Sequence, residues 1–356
     1  MSSSRVVRAS VVQASTPAYS LTDTLDKMER LTRLAAERSA LIIPCLLRPA
    51  LLIVHIPRDK TQIAVFPEAL YVRVFLISQL LIRNFSVGGY PKMSTFGVVV
   101  GDRSDLGREE FLKYYNAAIE IPSPAISRIE QISKATGVFI VTGIIERDLG
   151  TLYCTAIFVS PGQGLVGKHR KLVPTAAERL IWGQGDGSTL PVLETSFSGT
   201  AERNNEVTTK VSASICWENF MPLLRTYYYS QGTQIYCAPT VDARPVWQSS
   251  MVHIAIEGRC FVLSACQFAQ EKDYPADHAV ADINARHPDN IMIAGGSVIV
   301  SPLGKILAGP LLGEEGILTA DLDLDDCIRG KFDLDTTGHY ARPDVFELKA
   351  NISQGC

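Results

Sequence analysis

The chain reads Ser214-Ile215-Cys216-Trp217-Glu218-Asn219-Phe220-Met221-Pro222 at the point where a β-branched run stops and a helical pattern begins. Residues 207–215 alternate in the manner of a strand, and Asn219 is predicted to cap a helix that continues through Leu223 and Tyr227. Cys216 would then lie beside a helix N-terminus, whose positive partial charge favours the thiolate. Most free cysteines are inert core residues, so the assignment of Cys216 as a nucleophile depends on partners elsewhere in the chain.

Two candidate partners each follow a strand-like run upstream. Residues 62–66 form a short buried-strand pattern, and Glu68 comes just after it. Lys171 follows the strand pattern of residues 152–160 and its Pro-Gly turn. Taken singly, Glu68 would be a surface carboxylate and Lys171 a solvated member of a basic loop. Three reactive side chains at three strand ends instead favour one convergent pocket.

These segments together resemble the nitrilase branch of the carbon-nitrogen hydrolase superfamily, most closely its plant-type and fungal nitrilases. The resemblance covers nearly the whole chain. Its core consists of a glutamate motif, a lysine motif and a cysteine motif, which are Phe66-Pro67-Glu68-Ala69, His169-Arg170-Lys171-Leu172 and Cys216-Trp217-Glu218-Asn219. Flanking segments also match, among them Gly88-Gly89-Tyr90-Pro91, Glu178-Arg179, Trp182-Gly183-Gln184-Gly185-Asp186-Gly187-Ser188 and Gly338-His339-Tyr340-Ala341-Arg342-Pro343.

The resemblance implies a covalent hydrolysis of organic nitriles to carboxylic acid and ammonia. Cys216 would attack the nitrile carbon and form a thioimidate, which is then converted into a thioester and hydrolysed. Glu68 would be the general base, and Lys171 would stabilise developing negative charge together with the backbone N–H of Trp217. Glu178 matches a second glutamate that the family keeps beside this triad, where it would orient Lys171 or assist proton transfer; otherwise it is a carboxylate on a helix surface.

The substrate is less well defined by the sequence. The plant-type resemblance implies arylacetonitriles, aliphatic nitriles or cyanoalanine. Tyr90, Trp217 and Trp247 are candidate walls of the substrate pocket, although large aromatic side chains more often belong to the core. The family also implies a homo-oligomer, in which dimers extend into spirals.

Bulk properties exclude several other classes of protein. With 356 residues, 46% of them hydrophobic, the chain can bury a large core, and its net charge of -3 gives no argument for nucleic acid or membrane partners. The 8 cysteines lack regular spacing and no signal-peptide pattern precedes them, so we expect reduced thiols in the cytoplasm. We expect no metal and no cofactor: His253 and Glu257 lack a third ligand, and the glycines of residues 183–187 lack the ending of a phosphate loop.

Strand and helix patterns alternate along the chain, which is typical of an α/β fold. Strands are expected at residues 5–14, 138–145, 234–238 and 261–265, and helices at residues 21–34, 126–136 and 244–258. The family resemblance makes this one carbon-nitrogen hydrolase domain over residues 1–356, built as a four-layer α-β-β-α sandwich.

The chain departs from the family in two apolar stretches, at about residues 41–60 and 71–87. Charged residues and prolines interrupt both, so neither is a convincing membrane span. Residues 70–72 can be encoded by a sequence that contains the splice donor GTATGT, and residues 85–86 by one that contains the acceptor TTTAG. A retained intron is therefore our preferred explanation of the second stretch, and a lineage-specific insertion is the alternative.

The second stretch begins close to Glu68, so more than one function stays open. The first hypothesis is an active nitrilase. The second is a catalytically impaired nitrilase-like protein whose surfaces only assemble, and the third is an amidase of the same superfamily. Release of ammonia from a nitrile separates the first two, and a preference for amides would indicate the third.

We predict that deleting both stretches, so that Ala69 is followed by Phe-Val and Gly88, raises solubility and activity. Long apolar, β-prone runs favour aggregation when they are exposed. Yield of soluble protein and turnover per mole measure the effect. Messenger RNA that uniformly retains both segments, together with full activity of the 356-residue chain, would contradict the intron hypothesis.

Overall fold

The structure is a computed structural model that describes residues 5–16, 19–37, 60–68, 103–197, 206–273 and 287–353. The apolar stretches at 41–60 and 71–87 lie outside the described residues, except for Lys60. Their prediction as insertions therefore stays a prediction.

Several strands of this part of the chain, such as Ile63–Val65 and Phe261–Ser264, are continuous buried runs of mainly apolar residues, which suits strands that are covered on both faces. In chain order the strands are β1 (Val6–Gln13), β2 (Ile63–Val65), β3 (Phe139–Asp148), β4 (Thr151–Ser160), β5 (Gly164–Arg170), β6 (Leu193–Phe197), β7 (Val207–Ala213), β8 (Ile235–Cys237), β9 (Phe261–Ser264), β10 (Phe268–Gln270), β11 (Ile291–Val300), β12 (Ile306–Leu312) and β13 (Gly316–Asp323).

The α-helices are α1 (Leu21–Glu37), α2 (Asp105–Ala117), α3 (Pro124–Thr136), α4 (Pro222–Ser230), α5 (Val246–Gly258) and α6 (Asp325–Gly330). Helix α3 shows why local sequence sets their ends. The Ser123 side chain caps its N-terminus, and Gly137 ends it with a φ of 70°, a left-handed conformation that glycine adopts without a steric penalty. The predicted end of this helix at Gly137 is confirmed.

The strands form two mixed sheets. The first has 6 strands in the order β13-β1-β2-β3-β4-β5, with β1, β2 and β3 parallel. The second has 7 strands in the order β10-β11-β9-β8-β7-β6, with β12 paired to β11 and with β7, β8 and β9 parallel. Strand β1 packs against β11 across the interface, while α1 and α3 cover the first sheet and α4 and α5 the second. The expected α-β-β-α sandwich is confirmed.

Two local predictions need correction. Lys171 is expected to follow the strand of residues 152–160 and its Pro-Gly turn, yet a further strand, the edge strand β5, lies between them, and Lys171 follows β5 directly. The helix expected to start at Asn219 begins at Pro222, after a 3-10 turn over Cys216–Phe220. No helix among the described residues is long and apolar enough to cross a bilayer.

Gln13 joins the two sheets at the end of β1. Its Oε1 accepts hydrogen bonds from the backbone N–H groups of Gly296 and Ser297 on β11, both at 3.0 Å, and its Nε2 donates to the Glu314 carbonyl at 2.8 Å. A Cβ on Gly295 would lie 2.1 Å from Gln13 Nε2, so only glycine permits this approach. The amide is fully buried, which makes its bonds costly to remove.

We expect Gln13→Leu to destabilise the protein by about 2–5 kcal/mol, because it leaves two buried N–H donors without an acceptor. Urea unfolding followed by circular dichroism measures the change. Gln231→Leu is the matched control, since Gln231 is exposed and its substitution should alter stability by less than about 0.5 kcal/mol. Equal stability of the two variants would contradict the role of Gln13.

Candidate active site

Three strand ends supply the reactive side chains predicted from the sequence. Glu68 follows β2 and Lys171 follows β5, both in the first sheet, whereas Cys216 follows β7 in the second. Glu68, Lys171 and Cys216 are 1%, 0% and 3% exposed, so neither Glu68 nor Lys171 is the solvated group that its local sequence allowed. The site therefore lies between the two sheets.

The Lys171 ammonium is held between two carboxylates. Its Nζ donates to Glu68 Oε1 at 2.7 Å and to Glu178 Oε2 at 2.8 Å. Glu178 lies in the 3-10 turn Ala176–Leu180, and the same Oε2 accepts the backbone N–H of Thr175 at 2.6 Å. Glu178 is thus a fixed partner of Lys171, as one of the two roles proposed for it requires.

Glu68 has one occupied and one open oxygen. Its Oε1 accepts from Lys171 and from the thiol of Cys154, which lies at 3.5 Å. Its backbone carbonyl accepts from Gln267 Nε2 at 2.6 Å, a bond that crosses from the second sheet to the first. Its Oε2 is buried and accepts no hydrogen bond from any residue that the structure describes. One lone-pair site of this carboxylate is therefore available to a proton donor.

The backbone of Cys216 adopts a conformation that residues with side chains rarely occupy. Its φ is +50°, and its N–H donates to the Pro239 carbonyl at 2.9 Å. Asn219 Nδ2 donates to the carbonyls of Ser214 and Cys216 at 2.9 and 2.7 Å. Asn219 therefore fixes the cysteine turn from inside, and it does not cap α4, because that helix begins at Pro222, directly after Met221.

The electrostatic expectation for Cys216 was wrong. Burial, followed by the negative charge of Glu68, raises the pKa of the thiol well above its usual value, although Lys171 and the Thr240 hydroxyl oppose the shift. The structure therefore stabilises a neutral thiol at rest. Burial is the largest cause of this shift, and α4, whose N-terminus is expected beside the thiol, begins only at Pro222.

The charges of the lysine cluster depend on one another. Burial disfavours the Lys171 cation, but the surrounding negative charges, that of Glu68 first, outweigh it and raise the pKa of Lys171. Burial and the Glu68 charge raise the pKa of Glu178, and Lys171 limits that rise. Lys171 therefore stays charged, and it is what keeps two carboxyl groups together in the interior.

The three aromatic candidates lie in different places. Trp217 is 43% exposed, its Nε1 donates to Asp242 Oδ2 at 2.9 Å, and the Arg244 guanidinium lies 4.8 Å from its ring centre. Trp247 is buried, donates to Ser264 Oγ at 2.9 Å, and is a core residue in its packing. Tyr90 lies outside the described residues, so its place in the pocket stays a prediction.

Sequence analysis missed Cys154, Gln267 and Thr240, which contact the reactive groups. Cys154 lies within the alternating pattern of β4, and its carbonyl also accepts the Lys171 N–H at 2.8 Å. Gln267 and Thr240 follow β9 and β8. Polar residues after parallel strands were a usable signal for the last two, whereas nothing in the strand pattern marks Cys154.

We expect Lys171→Met to destabilise the fold by about 3–5 kcal/mol near neutral pH, because it leaves buried carboxylates without their cation. Without Lys171 the pKa of Glu178, already raised, would rise further. A carboxyl whose folded pKa exceeds its unfolded value contributes stability below the unfolded pKa and loses it as pH rises. The deficit should therefore be larger at about pH 8 than at about pH 5 in urea unfolding.

Lys168→Met is the matched control for this experiment. Lys168 Nζ donates to Glu146 Oε1 at 2.6 Å, but Glu146 keeps its bonds to Arg170 and Thr155 when Lys168 is lost. We expect a smaller loss of stability that changes little with pH. A pH-independent deficit in Lys171→Met would contradict the electrostatic account of the cluster.

Comparison with known proteins places this geometry in a family. The family model of carbon-nitrogen hydrolases matches residues 8–332. The chain is 67% identical over 343 residues to the arylacetonitrilase of Trametes versicolor (strain FP-101664), covering 96% of each chain. It is 47% identical to a bifunctional nitrilase/nitrile hydratase of Nicotiana tabacum, covering 98% of this chain and 86% of that protein.

A solved structure of a variant of the Nesterenkonia AN1 amidase, from the nitrilase superfamily, is also similar. It matches with a TM-score of 0.57 at 15% identity and covers 96% of this chain and 98% of that one. At this identity the match shows the fold alone. The span of the family model and the identity to the fungal and plant relatives show that the chain belongs to the carbon-nitrogen hydrolase family.

Proposed function

We propose that this chain is a nitrilase that hydrolyses an organic nitrile to the carboxylic acid and ammonia, with Cys216 as the nucleophile. One observation supports the mechanism: Lys171 is buried in contact with Glu68 and Glu178, so that Glu68, the proposed base, has one open oxygen and lies beside a fixed cation. The identity of 67% to an arylacetonitrilase supports the nitrile as substrate.

The first step begins from a neutral thiol, because burial and Glu68 raise the pKa of Cys216. Glu68 is the group that can take the thiol proton, since its Oε2 accepts no bond from the described residues. The sulfur bonds to the nitrile carbon as the thiol proton moves through Glu68 to the nitrile nitrogen. The product is a thioimidate, in which one C–N π bond has been replaced by a C–S bond and an N–H bond.

Lys171 would stabilise the negative charge that grows on the nitrogen and, later, on the tetrahedral oxygen. Both of its bonds to carboxylates are in place before substrate arrives, so the ammonium needs no reorganisation. The surroundings are buried, where such an interaction is stronger than in water. The backbone N–H of Trp217, directly after Cys216, is the second proposed donor.

Two water molecules complete the reaction. Glu68 would remove a proton from the first water, which adds to the thioimidate carbon, and ammonia leaves to give a thioester. A second water attacks the thioester, and the carboxylic acid departs as Cys216 recovers its proton. The sum consumes one nitrile and two water molecules and releases one carboxylic acid and one ammonia.

The two alternative functions have weaker support. If the second apolar stretch, which begins soon after Glu68, impaired the protein, we would expect the contact between Glu68 and Lys171 to be lost. Lys171 Nζ lies 2.7 Å from Glu68 Oε1, so this contact is present. The amidase among the solved structures resembles this chain in fold at 15% identity, whereas the nitrilases resemble it at 44–67%. We therefore favour nitriles over amides.

We further propose arylacetonitriles as the substrate class. The half-exposed indole of Trp217, next to the nucleophile, is held by Asp242 and by the Arg244 guanidinium over its ring. A ring fixed in this way can stack on an aryl group with little loss of conformational entropy.

Homo-oligomeric assembly in the cytoplasm also remains our proposal, and exposed apolar residues such as Leu223 and Phe346 offer surface for it.

We predict that Cys216→Ala lowers turnover of phenylacetonitrile by about 10⁴-fold or more, because the covalent C–S bond of the proposed mechanism can no longer form. Ammonia release measures turnover, and mass spectrometry of the wild-type enzyme should find the adduct on Cys216 alone. Alanine differs from cysteine only by the loss of the sulfur atom, so little packing volume is lost and the fold should remain intact.

Cys260→Ala is the matched control, because Cys260 is equally buried but lies in the core beneath α5. It should retain turnover close to the wild type. Substantial nitrile hydrolysis by Cys216→Ala would refute the nucleophile assignment. Faster turnover of phenylacetamide than of phenylacetonitrile by the wild type would favour an amidase.

A further inference from the structure

A buried carboxylate, Glu218, joins the segment that carries Lys171 to the segment that carries Cys216. Its Oε1 accepts the backbone N–H of Leu172 at 2.6 Å, and its Oε2 accepts the backbone N–H of Ile215 at 2.8 Å. Leu172 directly follows Lys171, and Ile215 directly precedes Cys216. One side chain therefore holds the main chain next to each reactive group.

His169 completes this arrangement from strand β5. Its Nε2 lies 2.9 Å from Glu218 Oε2, and its Nδ1 lies 2.7 Å from the carbonyl oxygen of Thr189. Both ring nitrogens face oxygen atoms, an arrangement that suits an imidazolium donating to the Thr189 carbonyl and to the Glu218 carboxylate. Burial opposes that charge, but the charge and hydrogen bond of Glu218 outweigh it and raise the pKa of His169. The positive charge of the ring then compensates the negative charge of the buried Glu218 carboxylate.

Glu218 is poorly placed to exchange protons with substrate. Both of its oxygens are occupied by the donors of Leu172, Ile215 and His169, and the side chains of His169 and Glu218 are 0% exposed. Any effect of this carboxylate on the chemistry must therefore act through the two segments that it holds. It is a positioning residue.

The cysteine turn is strained and needs such support. A residue with a side chain at φ near +50° costs on the order of 1–3 kcal/mol, and it persists only when its surroundings hold it. The Glu218 bond to Ile215 fixes the residue before Cys216, and Asn219 fixes the carbonyls on either side. Release of the Glu218 bond would allow the thiol to move relative to Lys171.

We propose that the His169–Glu218 pair sets the separation between the Lys171 ammonium and the Cys216 thiol by bonding the main chain beside both. The proposal rests on the proposed function only in taking these two groups as the reacting ones. A displacement of about 1 Å in such a constellation can cost about 100-fold in rate. The pair thus acts on the rate of the chemical step and leaves substrate binding nearly unchanged.

The test is Glu218→Asp, which keeps the charge but is one methylene too short to reach both N–H groups. We expect kcat for phenylacetonitrile to fall about 100-fold with KM within about 3-fold of the wild type. Alkylation of Cys216 by iodoacetamide, followed on its own peptide by mass spectrometry, gives a second measurement. The pH midpoint of alkylation should shift by about half a unit or more, because the distance between the thiol and the charged groups that face it changes. These groups are Glu68, Lys171 and Glu178, which follow strands of the first sheet, whereas the Thr240 hydroxyl that also faces the thiol follows a strand of the second.

Glu146→Asp is the matched control. Glu146 is 2% exposed and holds Lys168 and Arg170 of the same strand β5, but it does not bond to the cysteine turn. It should lower the thermal midpoint while leaving kcat and the alkylation profile close to the wild type. A folded Glu218→Asp variant with wild-type kcat and alkylation profile would overturn the proposal.

Glu218→Gln covers the case in which the aspartate variant does not fold. The amide has the same length, but it offers one acceptor oxygen for the two N–H groups, so one link must be lost. The same fall in kcat and shift in alkylation are expected, and their absence would overturn the proposal. Failure of the proposed function would appear differently, as a wild type that does not hydrolyse nitriles, while alkylation would still report the link.

Discussion

The Lys171 ammonium, buried between the carboxylates of Glu68 and Glu178, is the interaction on which the rest of the site depends. A buried cation without a partner would be neutralised or would unfold the site, and two buried carboxylates without a cation would repel each other. Each group therefore requires the others, and distances of 2.7 and 2.8 Å leave little freedom in their placement. The same cluster holds Glu68, the proposed base, beside the cation, and burial raises the pKa of the Cys216 thiol.

Much of the fold follows from sequence because periodicity and family motifs agree. The strands that precede Glu68 and Cys216, the end of α3 at Gly137 and the order of the layers all follow from local pattern and resemblance. Strand β5 does not, because Gly164–Arg170 is a half-exposed edge strand with glycines and three adjacent basic residues, and its periodicity is weak. Only its pairing with β4 makes it a strand.

The sequence singled out side chains that the structure brings together, among them Glu68, Lys171 and Glu178, but it did not indicate their electrostatics. Sequence suggested a thiolate from the expected helix N-terminus, because it cannot show how deeply Cys216 is buried or that Glu68 lies beside it. The sequence predicts Asn219 as a helix cap, because only the folded turn shows that its Nδ2 group donates to the carbonyls of Ser214 and Cys216. The contact of Cys154 with Glu68 could not be predicted either, because the packing of segments that are distant in sequence decides which face of β4 meets Glu68.

The division of the site between two sheets has a consequence for how this enzyme becomes active. Glu68 and Lys171 belong to the first sheet and Cys216 to the second, and the bonds of Gln13, Gln267 and Glu218 tie the two together. Either sheet could form its hydrogen bonds without bringing these three side chains together. In the proposed mechanism turnover therefore reports on the docking of the sheets, and during refolding it would return only after backbone structure has already recovered.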